Sequence, residues 1–322
     1  MTNIREIAKL SGYSVSSVSR VLNNHPYVSD EAREKILQIV RELDYTPNLV
    51  AKELSLGNTY KVGVVIPHVR HTYFTKLING MLDQAQRSAY NLLLLPSQYD
   101  KELEIQYLEQ LRGQAFDHLI FTSRSIDLET IASYAKYGNI VCLEKVNHSQ
   151  LSSVYVDRKP ACREAFRWLK ELDYQHLSLI FTRKDKRSST YRMVKEAYDE
   201  VYGLEHTPVI IEGVAIEEDA YQKASELWKH PEIDCIFSNG DDIAAGFMRA
   251  YEEAGKQLPF IMGQENMLAG RSWFPPPLTT NSISWVRKVS SRFYLKRKEP
   301  LYSNRNLSSD KRLVVFQISL LI

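Results

Sequence analysis

The sequence predicts a small all-α head over residues 1–57, followed by an α/β body of two lobes built on parallel, doubly wound sheets. Three observations carry this reading. Apolar residues recur only at helical spacing as far as Leu54. From Val62 onward, short apolar runs alternate with amphipathic stretches, and the alternation divides into two sets near Asp157. At 322 residues the chain exceeds one typical domain, and 44% apolar with 25% charged residues is ordinary for a globular protein.

The head begins with Ile4, Ile7, Ala8 and Leu10 on one helical side, and Gly12 ends that run. Ser14 then N-caps a second helix, Val15 to Leu22, whose inward residues are Val18, Val21 and Leu22. Its other side carries Ser16, Ser17, Ser19, Arg20 and Asn23, small polar groups plus one guanidinium. Such a side lets a helix sink into a DNA major groove; a generic three-helix bundle with a solvated face fits the same residues. The third helix, capped by Ser29 and Asp30, runs through Ala32, Ile36, Ile39, Val40 and Leu43 and roofs the first two. A short hinge helix is expected over 46–55, with Thr46 as its cap, Pro47 in its first turn and Gly57 at its stop. At about two turns it is unstable alone in water. Leu54 then either wedges a minor groove or packs on a partner helix.

Charge argues neither way. The whole chain is +2, and residues 1–60 hold seven Lys/Arg against seven Asp/Glu. Recognition of DNA would rest on placed donors and helix N-termini rather than on a basic field.

The body spans 60–280, with a first lobe of about 60–157 and a second of about 158–280. Strands are expected at 62–67, 91–95, 118–122 and 140–143, then at 177–181, 208–211, 235–238 and 260–263. The intervening helices fall at about 74–88, 102–111, 126–137, 159–172, 191–201, 218–228 and 243–253. Ligands of such folds bind beyond the carboxyl ends of strands. Residues there include His71, Tyr73 and Phe74, then Ser97 and Gln98, Ser123 and Arg124, and Glu144 and Lys145. Asp157 stands at the crossover, and Arg192, Asp241 and Glu265 belong to the second lobe. Aromatic faces beside Asp, Glu and Arg describe a sugar-like polyol site. Each residue also fits a surface loop or helix cap, and Asp241 with Asp242 fits the cap of the next helix.

Other chemistry is weakly marked. There is no glycine-rich nucleotide loop, so no cofactor is expected. His68 and His71 lack a nearby Glu, so no metal is expected, and no nucleophile motif suggests an enzyme. Cys142, Cys162 and Cys235 are odd in number and widely spaced, which fits a reduced cytoplasm. No secretory leader or membrane-spanning stretch is seen.

The order of parts resembles the lactose-repressor (LacI/GalR) family of bacterial transcription regulators. Ile4-x-x-Ile7-Ala8-x-x-Ser11-Gly12-x-Ser14-x-x-Ser17-Val18-Ser19-Arg20-Val21-Leu22-Asn23 is similar to its helix–turn–helix motif, and Tyr45-x-Pro47-Asn48-x-x-Ala51-x-x-Leu54 to its hinge helix. The resemblance implies a periplasmic-binding-protein-like body and a homodimer on a palindromic DNA operator. It assigns base reading to Val15, Ser16 and Arg20, and phosphate approach to Ser14, Ser17, Ser19 and Asn23. It places Tyr45, Asn48, Ala51 and Leu54 in the DNA-facing hinge. In the body, His71-Thr72-Tyr73-Phe74, Val156-Asp157, Arg192, Asp241 and Gly263-Gln264-Glu265 fall in register with the family. That implies Tyr73, Phe74, Asp157, Arg192, Asp241 and Glu265 as contacts of a small-molecule effector, a sugar or sugar derivative, and the strand-end reading adds His71 and Ser123 to them. Lys52, Gly240 and Glu265 depart from the usual family residues.

From about Asn281 the resemblance ends, and the tail 281–322 holds nine Lys/Arg against two Asp/Glu. It reads either as a divergent tail or as the product of a shifted reading frame, which would leave a defective, truncated repressor. The leading expectation is a repressor of carbohydrate-utilisation genes, bound to double-stranded DNA as a dimer. A sugar-binding receptor without DNA function is the rival.

Overall fold

The computed structural model describes residues 3–48, 50, 51, 53, 57–183 and 188–264. Leu54, Glu265 and the tail at 281–322 lie outside them. The chain divides into two compact units, Met1–Tyr60 and Lys61–Ile322.

In the first unit, helix Ile4–Ser11 starts at Asn3, whose side chain accepts from the Arg5 and Glu6 amides, and stops at Gly12 in the left-handed region (φ 76°). Helix Val15–Leu22 is capped by Ser14, which accepts from the Ser17 amide, and helix Asp30–Glu42 by Ser29, which accepts from the Ala32 amide. These caps satisfy amides that the first helical turn leaves unpaired. Ile7, Val18 and Ile36 are sealed at the centre, with Ala8 and Val21 beside them. Leu10, expected to face inward, is 54% exposed; Ser11, one turn on from Ile7 and Ala8, takes the inward position. The loop after the second helix is tied down by Arg33, which donates to the His25 carbonyl at 2.7 Å and to Asn24 Oδ1 at 3.1 Å.

The second unit holds two parallel sheets. Strands β1 (Lys61–Ile66), β2 (Asn91–Pro96), β3 (His118–Phe121), β4 (Asn139–Cys142) and β5 (Ser152–Ser153) lie in the order β2-β1-β3-β4-β5. Strands β6 (Leu177–Ile180), β7 (Val209–Ile211), β8 (Cys235–Phe237) and β9 (Phe260–Met262) lie in the order β7-β6-β8-β9. Every pairing is parallel, so each strand must be covered on both faces, which the near-continuous apolar runs allow. Two buried clusters serve each sheet, one per face. Val64, Ile66, Leu77 and Val141 oppose Leu108, Leu119 and Phe121 in the first lobe. In the second, Phe166, Leu179 and Tyr198 oppose Ile236, Phe247 and Ile261.

The helices are Thr72–Ala85, Lys101–Arg112, Leu128–Ser133, Lys159–Glu171, Ser189–Tyr202, Glu217–Leu227 and Asp241–Glu253. The third is shorter than the 126–137 expected. Asp127 starts it by accepting from the Thr130 amide, and beyond Ser133 the chain runs in tight turns bonded from Tyr134 to Ile131 and from Tyr137 to Tyr134. The two-residue β5 is too short to show a period, and sequence reading passed it over. Cys142, Cys162 and Cys235 are buried free thiols, and burial pushes Cys142 and Cys162 up to about 12, which makes them inert. No helix among the described residues is long and apolar enough to cross a membrane.

Candidate functional site

The first candidate is the outer side of helix Val15–Leu22. Ser16, Arg20 and Asn23 are exposed, and Val15 is 43% exposed at its N-terminal end. Ser14 and Ser17 share a hydroxyl hydrogen bond of 2.9 Å, and Asn23 Nδ2 donates to the Ser19 carbonyl at 2.9 Å. Among the described residues Arg20 makes no ion pair, so its guanidinium extends into solvent with its donors unspent. A helix presenting small side chains and one free fork can approach base edges closely.

The hinge segment departs from expectation at its start. Residues 46–48 are not helical; Asn48 Oδ1 accepts from the Val50 amide at 2.9 Å and the Ala51 amide at 3.3 Å, so Asn48 and not Thr46 is the cap. Val50, Ala51 and Glu53 are helical, with Val50 and Ala51 exposed. Tyr45, expected at the DNA, packs half-buried on the head's core.

The second candidate is a cleft between the lobes, open to solvent. Topology explains its place. Strand order reverses around β1 and β3 in one sheet and around β6 and β8 in the other. His71, Tyr73 and Phe74 follow β1, Thr122 and Ser123 follow β3, Thr182 and Arg183 follow β6, and Asn239 follows β8; all line the cleft. Rings dominate one wall: Tyr73 and Phe74 meet edge to face at 5.2 Å, and His71 stands 5.6 Å from Phe74. His71 caps its helix by accepting from the Tyr73 amide at 3.2 Å. Burial first, then His68 and the Arg158 guanidinium, lower its pKa to about 4, so the ring is neutral at pH 7.

Polar groups also line the cleft. Glu144 forms a buried pair with Arg124 (2.6 Å) and lies 3.7 Å from Arg192. Arg183 crosses between lobes, donating to the Arg124 carbonyl at 2.6 Å and lying 4.0 Å over the Tyr99 ring. Burial raises the Tyr99 phenol pKa, partly offset by hydrogen bonds from Ser123 and Arg183. Asn239 donates to the Val214 carbonyl at 3.2 Å and to Thr182 at 3.3 Å, while its Oδ1 is buried with no partner among the described residues. A buried acceptor of this kind calls for a donor such as a hydroxyl or a water.

Of the expected effector residues, the cleft therefore gathers His71, Tyr73, Phe74 and Ser123, with Arg192 against its Glu144. Asp157 and Asp241 do not line it. Asp157 is exposed and accepts from the Lys159 amide, starting the next helix. Asp241 is buried in the first turn of its helix, its carboxylate filling the space where Gly263 lacks a Cβ. Tyr99, Arg158, Arg183, Met193 and Asn239 line the cleft and were not anticipated. Arg183 and Asn239 stand at strand ends, so the rule that found Ser123 reaches them too.

Comparison with known proteins agrees with this architecture. Residues 3–48 match the family described as bacterial regulatory proteins, lacI family, and residues 59–264 match periplasmic binding proteins and sugar binding domain of LacI family. Catabolite control protein B of Bacillus subtilis (strain 168) is 38% identical over 87% of this chain and 90% of its own length. The ribose operon repressor of Halalkalibacterium halodurans is 31% identical over 95% of this chain and 93% of its own. Among solved structures, the lac repressor dimer bound to operator and the anti-inducer ONPF aligns with a TM-score of 0.66 at 18% identity, over 95% of this chain and 99% of that one. A LacI-family regulator from Enterococcus faecium with bound ribose aligns with a TM-score of 0.55 at 19% identity, over 76% of this chain and 97% of that one. At those identities the solved structures establish shared fold. With the family match across most of the body and relatives above 30% identity over most of their length, the chain belongs to the LacI family of bacterial regulatory proteins.

Proposed function

We propose that this chain is an operator-binding transcription regulator, a repressor of carbohydrate-utilisation genes that works as a cytoplasmic dimer and answers to a small hydroxylated effector. One observation carries the reading. The same chain holds a helix–turn–helix with an exposed, finely polar second helix and a cleft between two lobes walled by aromatic rings and polar groups. Val15, Ser16 and Arg20 read bases; Ser14, Ser17, Ser19 and Asn23 hold phosphates, and Asn48 and Ala51 belong to the hinge. His71, Tyr73, Phe74 and Ser123 contact the effector, with Arg192 setting Glu144. The names of its relatives, a catabolite control protein and a ribose operon repressor, support a regulator over an enzyme.

A dimer places two heads on a palindrome with half-sites about one helical turn apart. An effector that prefers one lobe arrangement shifts DNA affinity, and DNA shifts effector affinity by the same factor. Salt dependence separates this from a sugar receptor. In anisotropy titrations of the full chain against duplex DNA, affinity falls about 10³–10⁵-fold between 50 and 200 mM salt if six to ten phosphates are contacted. A flat salt response, or no duplex binding, contradicts the proposal.

A further inference from the structure

We infer that Tyr99 is a positioning residue of the effector cleft. A turn held in an unfavourable backbone conformation presents its ring as the seat on which Arg183 of the second lobe docks, and this contact sets the spacing of the two lobes. The inference rests on the reading of the cleft as the effector site and concerns how that site is closed.

The turn is the first observation. Beyond β2 the Ser97 and Gln98 amides donate to the Ile66 and Pro67 carbonyls at 2.8 and 3.1 Å, so the chain stays beside β1 past the strand end. It then reverses over Gln98 (φ 50°) and Tyr99 (φ 62°), and the Asp100 amide closes the turn on the Ser97 carbonyl at 2.8 Å. A turn with two central residues of positive φ is normally filled by glycine, asparagine or aspartate. A tyrosine there is strained, and such strain persists only where the surroundings over-determine it. Here they do. The Tyr99 amide donates to Ser97 Oγ at 3.3 Å, and Ser97 Oγ donates to the buried Glu104 at 3.3 Å. Asp100 then caps the helix Lys101–Arg112 by accepting from the Glu102 and Leu103 amides.

What the strained residue holds is the second observation. Its ring carries the Arg183 guanidinium at 4.0 Å from the centroid and meets His68 edge on at 5.5 Å. The cation is well inside the roughly 6 Å reach of an aromatic face. Arg183 follows β6, in the other lobe, and the same guanidinium donates to the Arg124 carbonyl beyond β3 at 2.6 Å. A ring face and a carbonyl, from two strand ends of one lobe, thus fix one side chain of the other. Two further guanidinium contacts between the lobes are looser. Arg70 and Glu218 pair at 3.3 Å with side chains 69% and 51% exposed, where solvent and salt screen them. Arg192 stands 3.7 Å from Glu144, beyond hydrogen-bond length.

The test is a distance measurement between nitroxide labels on the full chain, one per lobe, introduced at K136C and K229C. Both lysines are exposed, and the native Cys142, Cys162 and Cys235 are buried and escape labelling. Labelled chain is diluted with unlabelled chain so that only distances within one protomer are read, and thermal melts confirm that each variant is folded. Y99N places a residue suited to the turn and removes the ring; R183Q keeps the turn and removes the cation; Y99F keeps the ring face. Y99F is expected to retain the parent distance, while Y99N and R183Q shift it to a longer, broader distribution. A ring that served only to pack its own turn would leave R183Q at the parent distance. That result, or the parent distance in folded Y99N, overturns the inference, as does a Y99F distribution as broad as that of R183Q. Should Y99N fail to fold, R183Q and Y99F decide. No sugar is added, so failure here is distinct from failure of the effector reading, which sugar titration of the parent chain decides.

Discussion

Glu104 is the residue whose loss should be felt furthest from its own helix. It is fully buried on Lys101–Arg112, and no lysine or arginine pairs with it among the described residues; instead it accepts from backbone. Ser125 N donates at 3.0 and 2.8 Å to its two oxygens, Ile126 N at 3.1 Å, and Ser97 Oγ at 3.3 Å. Glu104→Ala strands two buried amides, at about 1–3 kcal/mol each, and opens a small cavity, so a loss of roughly 3–6 kcal/mol is expected. Glu104→Gln keeps a carbonyl oxygen for both amides and turns its NH₂ toward Ser97, which can accept, so its cost should be about 1 kcal/mol. Urea unfolding of the three proteins reads the difference. Because the strapped loop carries Ser123 and Arg124, the alanine variant should also lose sugar affinity in calorimetry at temperatures where it is still folded. An alanine variant within 1 kcal/mol of the parent, or equal losses for alanine and glutamine, refutes the reasoning.

Three further outcomes follow from the same geometry. Arg20→Ala should cost about 1–3 kcal/mol on a matched duplex and flatten preference at one base pair, and unchanged discrimination in a mismatch series counts against Arg20 as a reader. Asn48→Ala removes the acceptor for the Val50 and Ala51 amides and should weaken operator binding by about 0.5–2 kcal/mol, while Asn48→Asp should retain most of it; equal losses would show that capping is not the cause. His71 has a folded pKa of about 4 against 6.5 unfolded, so the unfolded chain binds more protons in that window. Stability is therefore complete above pH 6.5 and falls by about 3 kcal/mol as pH drops to 4, a slope that His71→Asn, which keeps a capping acceptor, should remove.

What the sequence disclosed was mostly local. Gly12, Ser14 and Ser29 set helix ends through groups within three residues of themselves, and their roles could be read without tertiary knowledge. Thr46 and Asn48 are both competent caps, and only the observed backbone decides that Asn48 meets the free amides. The strand-end rule found His71, Tyr73, Phe74, Ser123 and Glu144 because topology delivers every strand end to one side. It overcounted Asp241, whose burial depends on Gly263 lacking a Cβ, a match between distant positions that no local pattern reports. It undercounted Tyr99, which is turned into the cleft by positive φ at Gln98 (50°) and Tyr99 (62°), conformations unmarked by glycine. Arg158 and Arg183 line the cleft, each against a tyrosine ring, a pairing between distant positions that shows only when the lobes are assembled.

The central claim, that this chain reads DNA sequence as a dimer, is tested most directly by selecting the full-length protein against a random duplex pool at moderate salt. The account predicts enrichment of a palindrome with a fixed centre, its half-sites about one helical turn apart. Enrichment of no sequence, or of unpaired half-sites alone, contradicts it.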